Sequence, residues 1–280
     1  MTKSAKKQIS LKAMSGTLVL VGAGKMGSAL LDAWFRLGLN ARKVVVIEPQ
    51  PSRTLAALKR RGLRLNPAGK AIGPVAVILI AIKPQIAPEV LPSLIPMVGP
   101  KTVVVSIMAG RPIRFLERAL PSAAIVRAMP NTPAAIGRGI TVACPNARVT
   151  AAQRGLAHHL LTATGAVEWV DDERYMDAVT AVSGSGPAYV FLLAETLAHA
   201  ARAAGLPSAL AEKLARTTVA GAGELLHRSE LDAATLRVNV TSPGGTTAAA
   251  LDILMGDGGL EPLLTRAVLA ATRRGRELAG

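Results

Sequence analysis

Cysteine, aromatic side chains and long apolar runs are all scarce in this chain. Cys144 is the one cysteine among 280 residues, so no internal disulfide can form and no thiolate cluster can hold a metal. That usage fits a reducing cytoplasm, and Cys144 itself, in ITVAC at 140–144, reads as a buried strand residue. Aromatic residues make up 2% of the chain, which leaves few rings to stack on bases and a core to be built from Ala, Val, Leu and Ile. No apolar stretch approaches the roughly 20 residues of a membrane span. The longest, VAVILIAI at 75–82, reads as a buried central strand of a parallel sheet.

Acidic side chains are also in deficit, 18 against 33 Lys and Arg, for a net charge of +15. A basic surface is the footprint of a nucleic-acid binder. Here the cations are scattered, among them Arg111, Arg114, Arg118, Arg202 and Arg216, and no nucleic-acid partner is expected. A protein that did use this surface would bind duplex with steep salt dependence and transfer no hydride. Histidine offers no metal-ligand spacing, since His158 and His159 are adjacent and His199 and His227 isolated, so no metal site is expected either. The first sixteen residues carry lysines but no apolar core of a secretory signal, and are expected to be a basic, disordered extension.

What the chain does have is an alternation of apolar strand candidates with helical patterns. Strands are expected at 18–21, 43–47, 75–82, 102–108, 124–129, 140–144 and 167–170, and none after 171. The alternation predicts an α/β dinucleotide-binding domain over 17–171, a doubly wound parallel sheet of Rossmann-like type. Residues 172–280 read as an all-α domain, with helices at 208–226, 232–237, 246–255 and 261–278 after a broken helical segment at 173–205. A domain so rich in Ala and Leu exposes an apolar face, which predicts dimerisation.

The run LVLV at 18–21 leads into GAGKMG at 22–27, a G-x-G-x-x-G that opens an Ala/Leu-rich helix. Gly22 permits the tight turn, Gly24 lets backbone approach a pyrophosphate, and Gly27 lets helix pack on strand; Ala23, Lys25 and Met26 complete the loop. The next strand ends in Glu48, about 20 residues on, where a carboxylate meets ribose hydroxyls and repels a 2′-phosphate. Arg53 lies just beyond and is able to swing onto such a phosphate instead, so the cofactor is NADPH or NADH. Strand ends are where chemistry is sought in such a sheet, and Asn131, between Pro130 and Pro133, either holds a ribose or nicotinamide group or closes an Asx-turn.

Two further segments interrupt the helical half, TAVSGSGPAYVF at 180–191 and VTSPGGTT at 240–247. Gly costs about 1 kcal/mol and Pro about 3 kcal/mol inside a helix. Such interruptions are either a helix kink with a cap at Ser185 and Pro187 near the first turn, or an uncharged surface of hydroxyls and backbone N–H groups suited to a small carboxylate or a phosphate.

GAGKMG (22–27), AIKPQ (81–85), RAMPNTP (127–133), AVSGSGPAYVF (181–191) and VTSPGGTT (240–247) together resemble pyrroline-5-carboxylate reductases, from about Thr17 onward. The first three segments are shared with other dinucleotide-dependent reductases, whereas the last two, in this order and spacing, mark the family. The resemblance implies NAD(P)H-dependent reduction of the cyclic imine 1-pyrroline-5-carboxylate to L-proline in a homodimer, or an assembly of dimers, built through the C-terminal helices. The alternative is a reductase of another small cyclic imine or carbonyl compound. By resemblance, Ser242, Gly244, Gly245 and Thr246 hold the substrate carboxylate, and the Thr247 hydroxyl bonds the ring nitrogen and donates the proton. Glu230 arranges that loop, and Ser183 and Gly184 let the helix bend where substrate and nicotinamide meet. Ala81, Lys83, Pro84, Ala109, Gly110 and Asn131 carry over as cofactor contacts. On chemistry alone, Thr247 reads first as a helix-cap hydroxyl. Two-domain hydroxyacid dehydrogenases place a catalytic lysine on the long helix of the second domain, but no Lys occurs here between Lys101 and Lys213, which favours imine reduction.

Overall fold

The computed structural model describes residues 11–67 and 72–279. Side-chain alternation along the strands builds two cores at once. In β1 (Thr17–Val21), Leu18 and Leu20 enter one core while Val19 and Val21 enter the other. The same division recurs in β2 (Val44–Ile47), β4 (Val75–Ile80) and β5 (Val103–Ser106), so both faces are covered and the strands read as unbroken apolar runs. Each fully buried Val, Leu or Ile contributes about 1.5–3 kcal/mol. With the short edge strand β3 (Arg64–Leu65), β6 (Ala124–Met129), β7 (Gly139–Pro145) and β8 (Gly165–Trp169), the eight-stranded sheet has the order β3-β2-β1-β4-β5-β6-β7-β8. The chain's direction of progress reverses between β1 and β4, and ligands bind at the strand carboxyl ends beside such a switch point.

Helices close both faces. On one lie α1 (Lys25–Arg36) and, from later in the chain, the helix Ala151–Leu161, joined by a hydrogen bond from the Trp34 indole to the Leu160 carbonyl at 2.8 Å. The short α2 (Arg53–Ala57) is capped by Ser52, whose hydroxyl accepts from the Leu55 amide. The opposite core takes side chains from α3 (Ala87–Val90), the turn Leu91–Met97 and α4 (Ile113–Ala119). The helix Ala151–Leu161, α5, starts in a capping box formed by Thr150 and Gln153.

Two expectations need correction. Residues 11–16 are not a loose extension: Leu11 and Met14 are buried in the first core, the Leu11 amide donates to the Leu37 carbonyl, and Lys43 holds the Met14 carbonyl. Residues 1–10 of that expected segment lie outside the described ones. The sheet is not wholly parallel, because β7 runs antiparallel to β6. The stretch between Met129 and Gly139 is shorter than the dozen or so residues a parallel crossover needs, so the chain turns back on itself. By contacts the chain forms two compact units, the first running to Gly184 and also taking residues 272–279.

The second unit, Ser185–Ala271, is helical: α7 (Gly186–Ala203), α8 (Ser208–Arg228), α9 (Ala233–Asn239), α10 (Thr246–Leu254) and most of α11 (Leu260–Ala279). In the first unit the chain leaves the sheet through α6 (Met176–Val179). Helices α7 and α8 pack as a hairpin, turned by Gly205 with amides of Gly205 and Leu206 returning to the carbonyls of Arg202 and Ala201. Among its described residues the second unit buries only Ala198, Ala211 and Ala215, while large apolar side chains such as Phe191 (67% exposed) and Ile253 (78% exposed) face outward.

Candidate functional site

In the first unit the site grows from the turn after β1. Gly22 has φ 89°, and a Cβ there would lie 2.7 Å from the Ala81 carbonyl oxygen, so both its conformation and its neighbour demand glycine. A Cβ on Gly27 would stand 2.3 Å from the Gly22 carbonyl oxygen, which is the helix-on-strand closeness expected of the third glycine. Gly24 caps α1 and has open space around its Cα, with no side-chain cap bond and no acidic residue in the first turn. An uncapped helix start facing open space accommodates a pyrophosphate, so the residues present fit a dinucleotide. Lys25 is exposed there, and Met26 packs on the core below.

Glu48 leaves β2 at the same carboxyl edge. Its Oε2 accepts the Ala23 amide at 2.8 Å and its Oε1 the Gln50 amide at 3.0 Å. Arg53, the first residue of α2, is exposed. From β4 come Ala81, whose amide donates to the Val21 carbonyl at 2.7 Å, then exposed Lys83 and the 3-10 turn Pro84–Ile86. Arg111 braces that turn through Nη2 to the Pro84 carbonyl at 3.0 Å, its guanidinium stacked 4.6 Å from the Phe115 ring. After β5 stand exposed Ala109 and Gly110 at φ 67°, beside Leu278 of α11.

Asn131 is not an Asx-turn. Two residues on stands Pro133, which has no N–H to donate, and Asn131 Oδ1 instead accepts the Ile140 amide at 2.9 Å, fastening the turn to the start of β7. The 180–184 interruption is a π-helical turn, Thr180–Gly184, rather than a break. The Ser183 hydroxyl donates to the Val179 carbonyl at 2.9 Å, and Gly184 lies so near β6 that a Cβ would be 2.6 Å from Met129 Cε. Single π turns inside helices concentrate at functional sites. The helix runs on through Ser185, whose backbone is helical and whose side chain makes no cap, so the expected cap is absent.

Glu173 and Arg127 lie beneath this region. Arg127 is 6% exposed, and its Nη1 donates to Glu173 Oε1 at 2.8 Å. Cys144 is buried opposite Arg127 on β7, and burial pushes its thiol up to about 11, with Glu173 adding to the rise and Arg127 opposing it. It is therefore a neutral thiol near pH 7 and no nucleophile.

In the second unit Glu230 is exposed between α8 and α9. The 240–247 loop turns at Gly244, φ 69°, and its Gly245 amide donates to the Ser242 carbonyl at 3.0 Å. Gly245 is the N-cap of α10, so Thr246 and Thr247 are its first two residues and neither is the cap. Ser242 and Thr246 are exposed and Thr247 is half-buried. The structure thus groups the nucleotide loop, the strand-end turns and Ser183–Gly184 in one unit, and Glu230 with 242–247 in the other. Sequence reasoning missed Asn66 and Arg111 as supports; only the position of Arg111 directly after Gly110 hinted at a role.

Among the described residues no helix is long and apolar enough to cross a membrane, and no group of His, Cys, Asp and Glu is placed to hold a metal. Sheet order, glycine turn and helical second unit define a dinucleotide-dependent oxidoreductase. Residues 17–110 match the family described as NADP oxidoreductase, coenzyme F420-dependent, and residues 173–278 match pyrroline-5-carboxylate reductase dimerisation. The chain belongs to the pyrroline-5-carboxylate reductase family. It is 40% identical to the Synechocystis pyrroline-5-carboxylate reductase, over 95% of this chain and 99% of that protein, and 37% identical to that of Pseudomonas aeruginosa, over 94% and 96%. The solved pyrroline-5-carboxylate reductase of Coxiella burnetii shares 31% identity at a TM-score of 0.87, covering 95% of this chain and all of that one. A Plasmodium falciparum pyrroline carboxylate reductase, solved with NADP bound, shares 28% at 0.80, covering 97% and 100%. The C-terminal region is accordingly an oligomerisation region.

Proposed function

We propose that this chain reduces 1-pyrroline-5-carboxylate to L-proline with NAD(P)H, as a homodimer or an assembly of dimers, in the cytoplasm. Similarity along almost the whole length to curated pyrroline-5-carboxylate reductases carries the reading. The lone buried cysteine suits a reducing compartment.

When bound, the reduced nicotinamide supplies the hydride that the imine carbon accepts. Gly22, Ala23, Gly24, Lys25, Met26 and Gly27 cradle the dinucleotide pyrophosphate against the start of α1. Glu48 and Arg53 flank the adenosine ribose. The turns at Ala81, Lys83, Pro84, Ala109, Gly110 and Asn131 hold the remainder. Ser242, Gly244, Gly245 and Thr246 present amides and hydroxyls to the substrate carboxylate, an uncharged surface of the kind that binds anions without a lysine. The Thr247 hydroxyl bonds the ring nitrogen and relays to it a proton, regaining its own from solvent water, which completes the product amine. Glu230 steadies that loop, and the π turn at Ser183 and Gly184 lets the chain bend toward the reacting ring. No activated nucleophile is required, so positioning and hydrogen bonding supply the catalysis.

The test is loss of reduced-nicotinamide absorbance when 1-pyrroline-5-carboxylate is added to the purified protein, with proline identified as product. Silence with both NADH and NADPH, while either binds, refutes the substrate.

A further inference from the structure

We infer that Glu48, clasped by Asn66, makes this chain select NADH over NADPH; the inference rests on the dinucleotide site just proposed. Two reciprocal hydrogen bonds join the residues: the Glu48 amide donates to Asn66 Oδ1 at 2.8 Å, and Asn66 Nδ2 donates to the Glu48 carbonyl at 2.8 Å. The side-chain amide of Asn66 thereby copies a peptide group and prolongs the pairing of β2 with β3 by one residue. Asn66 can reach because it has φ 48°, a left-handed conformation that Asn tolerates better than most side chains, and its own amide donates to the Val46 carbonyl at 2.9 Å.

Held by its backbone, Glu48 is also held by its carboxylate, one oxygen on the Ala23 amide of the glycine turn and the other on the Gln50 amide. The negative charge is thus fixed against the nucleotide loop at the carboxyl end of β2, where the adenosine ribose of a bound dinucleotide lies. Each carboxylate oxygen has spare acceptor capacity, which ribose hydroxyls can fill by donating. A 2′-phosphate is dominated by acceptor oxygens and brings like charge, so it meets Glu48 with repulsion in place of a hydrogen bond. Arg53, exposed at the start of α2, is the opposing influence, and Arg53→Ala measures how much attraction it lends to a phosphate. Glu48 is the specificity residue and Asn66 a positioning residue.

The experiment is direct titration of the purified full chain with NADH and with NADPH in the absence of substrate, followed by kcat and KM for each. The unmodified chain should bind NADH at least about tenfold more tightly. Glu48→Ser should close that gap. Asn66→Gly keeps the left-handed backbone but removes the clasp; it should narrow the gap and raise the KM for NADH, with kcat at saturating cofactor unchanged. Arg53→Ala should leave the NADH preference at least as large. Circular dichroism establishes that each variant is folded. NADPH bound as tightly as NADH by the unmodified chain, or a ratio unmoved by Glu48→Ser, overturns the selection by Glu48. A ratio moved by Glu48→Ser but not by Asn66→Gly overturns the positioning role. Absence of turnover with 1-pyrroline-5-carboxylate would refute the substrate and leave the binding ratios readable, so the two failures are distinct.

Discussion

Arg127 and Glu173 pin the chain's departure from the sheet to the sheet itself. The guanidinium of Arg127 in β6 donates to Glu173 Oε1 at 2.8 Å, and the same oxygen accepts the Ile113 amide at the start of α4 at 2.7 Å. A second carboxylate, Asp177, stands 3.8 Å from Arg127 Nη2. β6 and the start of α4 therefore meet the segment leaving the sheet at Glu173 Oε1, shortly before the π turn that carries Ser183 and Gly184.

Removing one partner of such a pair costs more than the pair contributes, because the other charge stays buried. Glu173→Ala should lower the stability of the sheet unit by about 3 kcal/mol, read as a fall in the denaturant midpoint. Glu173→Gln retains an acceptor for the Ile113 amide and should lose less. Equal midpoints for Glu173→Ala and the unmodified chain would show that Asp177 alone satisfies Arg127.

Gly24 and Gly27 are expected to behave oppositely. At Gly27 a methyl meets the Gly22 carbonyl oxygen at 2.3 Å, so Gly27→Ala should displace α1, lower the melting temperature and abolish dinucleotide binding together. At Gly24 a methyl meets nothing within 4 Å, so Gly24→Ala should melt like the unmodified chain and lose only dinucleotide affinity, because the methyl occupies the ligand's space. Calorimetry with and without dinucleotide separates the two. Unimpaired binding by Gly24→Ala would remove that glycine from the site.

Thr247 is tested by its kinetics. As second residue of α10, with Gly245 as the cap, its hydroxyl is not needed to start the helix. Thr247→Ala should leave the fold and the KM for NAD(P)H unchanged while kcat falls about 100-fold, the usual scale for loss of a proton donor. A kcat within twofold of the unmodified enzyme would transfer that role elsewhere.

The apolar exterior of the second unit should vanish on assembly. Phe191 is 67% exposed on α7, and burying such a side chain contributes about 1.5–3 kcal/mol per copy. Phe191→Asp forfeits that and buries a charge, so the dimer dissociation constant should rise by at least about 100-fold, seen by sedimentation. A dimer as tight as before would place the interface on another face.

Much of this was legible from residue order. Central strands announced themselves because a strand buried on both faces has no polar positions to interrupt it, as in Val75–Ile80. The glycine turn was legible because Gly22 and Gly27 obey local steric constraints that no other residue meets. The 240–247 loop was legible as a family signature, and the exposed Leu-rich helices by composition. The apolar neighbours of Cys144 mark it as a buried strand residue, which is its place in β7.

What escaped depended on partners distant in sequence. The two-residue strand Arg64–Leu65 is too short for a periodicity, and it matters because it delivers Asn66 to Glu48. The reversal of β7 follows from the length of its connection, since an isolated strand carries no mark of its direction. Leu11 and Met14 belong to the core, and the residues from Thr272 on to the sheet unit, through contacts that local pattern does not encode. Arg127 and Glu173 are each ordinary charges in the sequence. They become a part-buried pair only when the sheet and the segment leaving it close on one another, because a contact between residues 46 apart is chosen by the whole fold and not by their neighbours.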